Sequence, residues 1–106
     1  METNLISIGG RQKVNSAEVL FLLADANYTL IMFEDGKKVF VATTLGELER
    51  RFIVTNFFYR THRSFLVNLQ HIETIEKNKV VLKNKTSVLV SRRKREVLQE
   101  KFFRIA

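Results

Sequence analysis

Residues 57–68 read FFYRTHRSFLVN, a stretch that combines a core-forming pattern with three basic side chains. Four aromatic residues and a Leu-Val pair surround Arg60, His62 and Arg63. A charge that is buried without a partner is costly, and the chain has no acidic residue at positions 50–72. We therefore expect the aromatic rings to face a core, while the cations face outward toward an anionic partner.

Charge is distributed unevenly along the chain. Positions 1–50 carry five Lys/Arg and seven Asp/Glu, net −2, and positions 51–106 carry thirteen and four, net +9, which together give the formal net charge of +7. A basic half of this kind favours a polyanionic partner, most often nucleic acid and next an anionic membrane. A basic face that is merely solvated explains the same charge.

Composition favours a soluble globular domain, with 45% hydrophobic residues, nine Phe and no long apolar run. No Pro- or Gly-rich linker and no repeat interrupts the 106 residues, so a single domain spanning 1–106 is expected. The start, METNLISIGGRQ, lacks the features of a signal peptide, and the chain has no Cys. These features favour a cytoplasmic protein.

The hydrophobic pattern predicts many short antiparallel strands and little helix. Asp35-Gly36 is the strongest hairpin signal, and Ala26-Asn27 forms a tight connection in which Asn27 tolerates positive φ. The expected fold class is a small, mostly β domain with antiparallel sheets and two short helices. The predicted strands occupy 5–8, 11–14, 19–25, 28–35, 37–42, 71–78, 79–84 and 85–91.

The first predicted helix follows Thr43 and Thr44, either of which can cap it. If Thr44 is the cap, Glu47 occupies the capping-box position. The helix buries one apolar face, made by Leu45, Leu48 and Phe52.

The second predicted helix runs from Arg92 to about Phe103, with Ser91 as its N-cap. Its first turn is entirely basic, although the helix macrodipole favours acidic side chains there. Cations beside free backbone N–H groups instead suit a phosphate. The basic residues are Arg92, Arg93, Lys94 and Arg95, and the apolar stripe is Val97, Leu98, Phe102 and Ile105.

The sequence FFYRTHRSFLVNLQHIETI at 57–75, the basic hairpin after it and VSRRKREVL at 90–98 resemble the LytTR family, the DNA-binding output domains of many bacterial response regulators. The likeness extends upstream to ADANYT at 24–29 and covers nearly the whole chain. The string R-x-H-R-S-x-x-V-N carries most of its specificity. The closest matching positions are Arg60, His62, Arg63, Ser64, Val67, Asn68 and Ile72.

The resemblance implies a bacterial transcription regulator that binds a specific duplex DNA sequence with loops and bends the DNA. Two loops would enter successive major grooves, and a central segment would cross the minor groove between them. Carried onto the matching positions, one major-groove loop would hold Asn27 and Tyr28, the central segment Arg63, and the other major-groove loop Arg92 and Arg93.

Side-chain chemistry supports these assignments to different degrees. The Arg93 guanidinium can donate to guanine O6 and N7 at the same time, which favours guanine over the other bases by roughly 1–3 kcal/mol. Asn27 can read adenine similarly or simply fix its turn, and Arg63 suits a narrow minor groove. The remaining cations are better suited to phosphates, which position the protein without specifying sequence. They are Arg60 and Lys94, with Lys83 and Lys85 as weaker candidates.

His62 and Ser64 complete the predicted DNA-binding set. We expect His62 to be a neutral imidazole bonded to a backbone carbonyl or a phosphate, rather than a pH sensor. A zinc site is not supported, because the only other histidine is His71 and the chain has no Cys. Ser64 lacks an orienting acid, so no catalytic residues, cofactor or small-molecule substrate are expected.

Two other functions remain open. A protein-interaction module of the same fold predicts weak DNA binding that is insensitive to sequence. A single-stranded nucleic-acid binder would expose Phe and Tyr for base stacking, although Phe57, Phe58, Tyr59 and Phe65 fit a core better. Family members usually carry a phosphoacceptor domain, so this chain is expected to be a stand-alone protein or an excised domain. A stand-alone form would need control by abundance, by a regulatory protein partner or by repeated DNA sites that a homodimer occupies.

Overall fold

The structure is a computed structural model that describes residues 5–105. It confirms a mostly β fold with antiparallel sheets and two helices. Along these residues the elements are β1 (Leu5–Gly9), β2 (Gln12–Asn15), β3 (Val19–Asp25), β4 (Tyr28–Phe33), β5 (Lys38–Val41), α1 (Leu45–Phe52), β6 (Phe58–His62), β7 (Phe65–Asn68), β8 (Ile72–Ile75), β9 (Lys79–Leu82), β10 (Ser87–Leu89) and α2 (Arg95–Ile105).

A central five-stranded sheet, in the order β5-β4-β3-β7-β6, organises the molecule. The β1–β2 hairpin and a three-stranded sheet, β10-β9-β8, are separate. One hydrophobic cluster joins the central sheet to α1 and the hairpin and contains the buried Ile8, Leu48 and Phe52. A second cluster joins the central sheet to the small sheet and α2, with Val80 and Leu98 fully buried.

Two tight turns of the central sheet follow from local sequence. Gly36 has φ 91°, and its N–H donates to the Phe33 carbonyl at 3.0 Å, which confirms the predicted hairpin. In the β3–β4 turn, positive φ occurs at Ala26, with φ 55°, and not at Asn27, so that part of the prediction is wrong. Positive φ at the first central residue alone is the pattern of a type II′ hairpin, which leaves Asn27 in an ordinary conformation.

The first helix matches its prediction. The Thr44 hydroxyl accepts the Glu47 N–H at 3.2 Å, which satisfies one of the free backbone donors of the first turn. The predicted apolar face is buried, and it consists of Leu45, Leu48 and Phe52.

The second helix departs from its prediction at the start. A 3-10 turn at Arg92–Lys94 precedes α2, and Ser91 stands at its N-cap without a side-chain capping hydrogen bond. A 3-10 turn has three residues per turn and an α-helix has 3.6, so the 3-10 turn changes which side chains of the following helix face the core. The helix packs through Leu98 and the partly buried Phe102, whereas the other two residues of the predicted stripe, Val97 and Ile105, are exposed.

Candidate nucleic-acid interface

Three segments that are distant in sequence meet at one end of the central sheet. They are the β3–β4 turn at 26–27, the β6–β7 turn at 63–64 and residues 91–94, which lead into α2. Strands β3 and β7 are paired neighbours, and the Ala24 N–H donates to the Ser64 carbonyl at 2.9 Å. Because hydrogen-bonded neighbours hold their ends together, the first two turns lie side by side.

The third segment is attached to the other side of the β6–β7 hairpin. The Ser91 N–H donates to the Thr61 carbonyl at 2.8 Å, and the buried Thr61 hydroxyl donates to the Leu89 carbonyl at 2.8 Å. Thr61 therefore links β6 to the end of β10 through both its backbone and its side chain. The predicted sites consequently form a row, with Arg63 between Asn27 and Arg93.

Arg60 lies inside this arrangement and has a carboxylate partner. Its guanidinium donates to Glu49 Oε1 at 2.7 Å, to the His62 carbonyl at 3.2 Å and to the Arg63 carbonyl. The sequence predicts that Arg60 faces outward toward an external anionic partner, whereas its side chain pairs with a carboxylate of the protein itself. Residues 50–72 lack acids in sequence, but α1 folds back and brings Glu49 to the turn.

The hydrogen bonds of Arg60 limit what else it can bind. Guanidinium has five N–H donors, and three are used within the protein, by one carboxylate and two carbonyls. The Arg60 side chain is only 21% exposed. Its principal contacts hold the β6–β7 turn in shape, and two N–H groups remain for any external anion.

His62 also shapes the turn. Its Nδ1 accepts the Ser64 backbone N–H at 3.1 Å, so its partner is a backbone amide and not the carbonyl that the sequence suggested. A ring nitrogen that accepts a hydrogen bond carries no proton, which places the proton of the neutral ring on Nε2. Ser64 is thus fixed by its main chain on both sides.

Three further cations lie around the turn. Arg63, Arg92 and Arg93 are exposed, and none forms an ion pair within residues 5–105. A shallow depression of about 380 Å³ joins the central turn to the start of α2. Its lining residues are Glu49, Arg60, His62, Arg63, Ser91, Arg93 and Lys94.

Lys94 is held beside this depression by an aromatic ring. Its Nζ lies 5.5 Å from the centroid of Tyr59, and Lys101 Nζ lies 5.8 Å from the same centroid. Burial of the Tyr59 hydroxyl raises its pKa, and the Glu49 carboxylate raises that pKa further. Tyr59 therefore stays neutral at physiological pH and keeps Lys94 near the row of turns.

The other predicted residues fall into two groups. Asn27 and Tyr28 are exposed at the β3–β4 turn, as a contact residue must be. Lys83 and Lys85 lie in the β9–β10 turn at the far end of the small sheet, where Lys85 Nζ pairs with Glu73 at 2.9 Å. The weaker phosphate candidates are therefore not brought together with the main site.

The aromatic residues of the motif belong to the two cores, as expected. Phe57 and Phe58 are buried, and Tyr59 and Phe65 are partly buried against the second hydrophobic cluster. The exposed aromatic side chains within residues 5–105 are Tyr28, Phe40 and Phe103, from three separate elements. Tyr28 and Phe40 lie on the paired strands β4 and β5, where Phe40 is opposite Leu30, whereas Phe103 lies on α2.

Two structural residues were not recognised as such from the sequence. Glu49 gives no signal, since its contact depends on α1 packing. Asn68 belongs to the motif, but it is fully buried, and its Nδ2 donates to the Val19 carbonyl at 2.8 Å. Its Oδ1 accepts the Gln70 N–H at 2.8 Å, so Asn68 joins β7 to β3 and caps the turn that follows.

Within residues 5–105, no group of three or more His, Cys, Asp or Glu side chains is arranged to hold a metal ion. His71, the second histidine, contacts the Ala17 carbonyl through Nε2 at 2.9 Å. In the same part of the chain, no helix has the length and apolarity needed to cross a membrane.

A β-rich domain with a row of basic turns at one end of its central sheet has a surface suited to nucleic acid. The family model of the LytTr DNA-binding domain matches residues 10–103 of this sequence. The chain therefore belongs to this family of DNA-binding domains, which act in transcription regulation. The resemblance drawn from the motif is thereby confirmed.

A solved structure supports the same fold. The chain is similar to a LytTr DNA-binding domain of a response regulator from Bacillus cereus, with a TM-score of 0.72 and 23% sequence identity. The alignment covers 97% of each chain. At this identity the likeness establishes the fold alone. Among curated proteins, none matches the chain.

Proposed function

We propose that this chain binds a specific duplex DNA sequence as a bacterial transcription regulator, with its turns in successive major grooves and with bending of the DNA. The observation that carries the proposal is the row of three turns on which Arg63, Arg92 and Arg93 have no ion pair within residues 5–105. Exposed cations on rigid, hydrogen-bonded turns are suited to phosphates and base edges.

The residues of the row take different roles in this proposal. Arg93 reads a guanine, and Asn27 with Tyr28 contacts bases or backbone in the other major groove. Arg63, at the centre of the row, enters the minor groove between them. Lys94 binds a phosphate from its position over Tyr59.

Three further residues act mainly on the shape of the central turn. Arg60 connects the turn to Glu49, and its two remaining N–H groups can reach a phosphate. His62 and Ser64 close the turn by their own hydrogen bond. Changes at these positions should therefore weaken DNA binding by loosening the segment that presents Arg63.

We extend the proposal to the biological setting. The chain acts in the cytoplasm as one domain over 1–106, without catalysis or a small-molecule substrate. Regulation comes from homodimers on repeated DNA sites or from a regulatory protein partner. Sedimentation with one and two copies of the selected site would measure the stoichiometry.

Selection of binding sites from random duplex DNA tests the central claim. We expect an enriched motif, and Arg93→Ala should lose roughly 1–3 kcal/mol of preference at one base of that motif. Arg104→Ala is the matched control, because Arg104 is an exposed arginine near the opposite end of α2. Circularly permuted probes carrying the selected site would measure bending.

Two results would contradict the proposal. If no motif is enriched and affinity depends on salt alone, the basic face is a general polyanion surface and the protein-interaction module becomes the better explanation. If Arg104→Ala changes base preference as much as Arg93→Ala does, the interface has been placed on the wrong side of the molecule.

A further inference from the structure

The row of turns continues one step beyond the three segments described above. The Val90 N–H donates to the Asn78 carbonyl at 3.0 Å, which joins the end of β10 to the β8–β9 turn at 76–78. This turn lies at the same end of the small sheet as Ser91 and the start of α2, because β9 pairs with β10 in antiparallel register. A fourth turn is therefore held beside the third by the backbone.

The basic residues 92–95, at the 3-10 turn and the first residue of α2, line two different depressions. Arg93 and Lys94 line the depression next to the β6–β7 turn, whereas Arg92 and Arg95 line a second depression, of about 810 Å³, next to the β8–β9 turn. The second depression is lined by Lys77, Asn78, Arg92, Arg95, Glu96 and Gln99. Three cations thus converge there from two separate segments, against one carboxylate.

The side chains of this second depression are available to an external anion. Lys77 is exposed, and neither Lys77 nor Arg92 forms an ion pair within residues 5–105. The Arg95 Nε donates to the Glu76 carbonyl at 3.3 Å, and its terminal nitrogens form no hydrogen bond or ion pair within residues 5–105. The Glu76 carboxylate is 3.9 Å from Lys79 Nζ, on the next strand.

We infer that the β8–β9 turn is a fourth DNA contact, in which Lys77, Arg92 and Arg95 bind a backbone phosphate beyond the base read by Arg93. The inference rests on the proposed function and extends its footprint to the small sheet. The ligand is a phosphodiester and not a base, because lysine acts as a point charge, and the neighbouring Asn78 and Gln99 can donate to phosphate oxygens.

Lys77→Gln tests the inference with little risk to folding, because Lys77 is exposed in a turn. We expect affinity for the selected operator to fall about 3- to 10-fold at roughly 0.1 M salt, and the slope of log K against log salt to decrease by about 0.9. The loss should be equal on the operator and on its single-base variants, because a phosphate contact carries no sequence preference.

Lys83→Gln is the matched control. Lys83 is also an exposed lysine of the small sheet, but it lies in the β9–β10 turn, at the opposite end of β9. Its affinity and salt slope should equal those of the wild type. Glu96→Gln, which removes the carboxylate of the depression, should tighten binding.

Ethylation interference would locate the contact on the DNA. In the wild type, one flanking phosphate should inhibit binding when it is ethylated, and the same modification should have no further effect on Lys77→Gln. Circular dichroism of each variant would confirm that the fold is unchanged.

The outcomes separate this inference from the proposed function. If Lys77→Gln binds like Lys83→Gln while Arg93→Ala still loses its base preference, the fourth contact is wrong and the proposed function stands. If the wild type selects no motif, both are overturned. If Lys77→Gln loses affinity only on some operator variants, the turn reads bases and the phosphate assignment is wrong.

Discussion

The first turns of the two helices follow opposite rules. Helix α1 is preceded by Thr44, whose hydroxyl accepts the Glu47 N–H as an N-cap, and its last turn carries Arg50 and Arg51, where the helix macrodipole favours cations. The segment that leads into α2 has no side-chain cap, begins as a 3-10 turn and places its cations at the start. Both helices nevertheless bury apolar side chains in a core.

This difference between the two helix starts indicates that one serves stability and the other serves binding. A helix start that is selected for stability uses a cap and an acidic side chain, as α1 does. The segment that leads into α2 lacks the cap and presents cations that form no ion pair within residues 5–105, although Glu96 lies in the first turn of α2 itself. Local rules of helix formation are broken at the surface that we propose to meet DNA, and the buried face of the same helix retains them.

The largest expected effect tests whether the two helices are equally anchored. Leu48→Ala and Leu98→Ala each remove a fully buried side chain and should each lower the free energy of unfolding by about 2–5 kcal/mol. Urea denaturation followed by circular dichroism would measure both, with the exposed Val97→Ala as control. A much smaller loss for Leu98→Ala would mean that α2 is only weakly attached, and the comparison would fail.

Removing the hydroxyls at the two helix starts would sharpen the comparison. Thr44→Ala should lower the free energy of unfolding by about 1 kcal/mol, because a capping hydrogen bond is lost. Ser91→Ala should change it by less than about 0.5 kcal/mol, because the Ser91 side chain makes no such bond. Equal losses in the same denaturation series would show that Ser91 caps α2 in solution.

Glu49 is the residue of α1 that contacts Arg60 of the β6–β7 hairpin, so its substitution tests whether α1 serves stability alone. Its side chain is 39% exposed, and we expect Glu49→Gln to change the free energy of unfolding by less than about 1 kcal/mol. Affinity for the selected operator should fall about 3- to 10-fold, because Arg60 no longer has a charged anchor for the turn.

The neighbouring Arg50→Gln is the control for Glu49→Gln, because Arg50 is exposed and pairs only within α1. Fluorescence anisotropy with labelled operator would measure both affinities. If Glu49→Gln binds like the wild type, the carboxylate is not needed to hold the turn.

A charge reversal at the start of α2 should stabilise the folded protein and weaken its binding to DNA. Arg92→Glu should raise the free energy of unfolding by about 0.3–1 kcal/mol at low ionic strength, because the acid favours the macrodipole, while DNA binding weakens. Arg104→Glu at the other end of α2 should have the opposite sign. Thermal melts at low and high salt would measure both, and equal signs would contradict the electrostatic explanation.

The smallest expected effect is the pH dependence of α1. Hydrogen bonds from Arg50 and then Arg51 lower the pKa of Glu47 below its ordinary value of 4.5. A lowered carboxyl pKa stabilises the folded state fully above the ordinary value, and this contribution is lost as pH falls through the lowered pKa. The difference in unfolding free energy between wild type and Glu47→Gln should therefore shrink on acidification. A difference that is constant from pH 7 to about pH 3 would contradict the assignment.

Local chemistry allowed much of the fold to be predicted from sequence. The boundaries of β3 agree with the continuous apolar run, because a buried strand needs little more than apolar side chains and turn residues beside it. The apolar face of α1 was predicted, and Thr44 was one of the two caps that the sequence allowed, whereas the Glu47 carboxylate pairs with Arg50 and Arg51. The start of α2 was not predicted correctly, because a 3-10 turn and a serine N-cap without a side-chain hydrogen bond have no distinct sequence pattern.

The sequence by itself determined the family, the antiparallel β class and the residues that carry the positive charge, because motifs, periodicity and charge are properties of neighbouring positions. Only the tertiary structure decided which of those cations are free. Arg60 forms an ion pair with Glu49, and Lys85 forms one with Glu73. Lys77, in contrast, lines one depression together with Arg92 and Arg95, beside the row of turns. Such partners are set by strand pairing and helix packing, which bring distant positions within hydrogen-bonding distance and leave sequence neighbours apart.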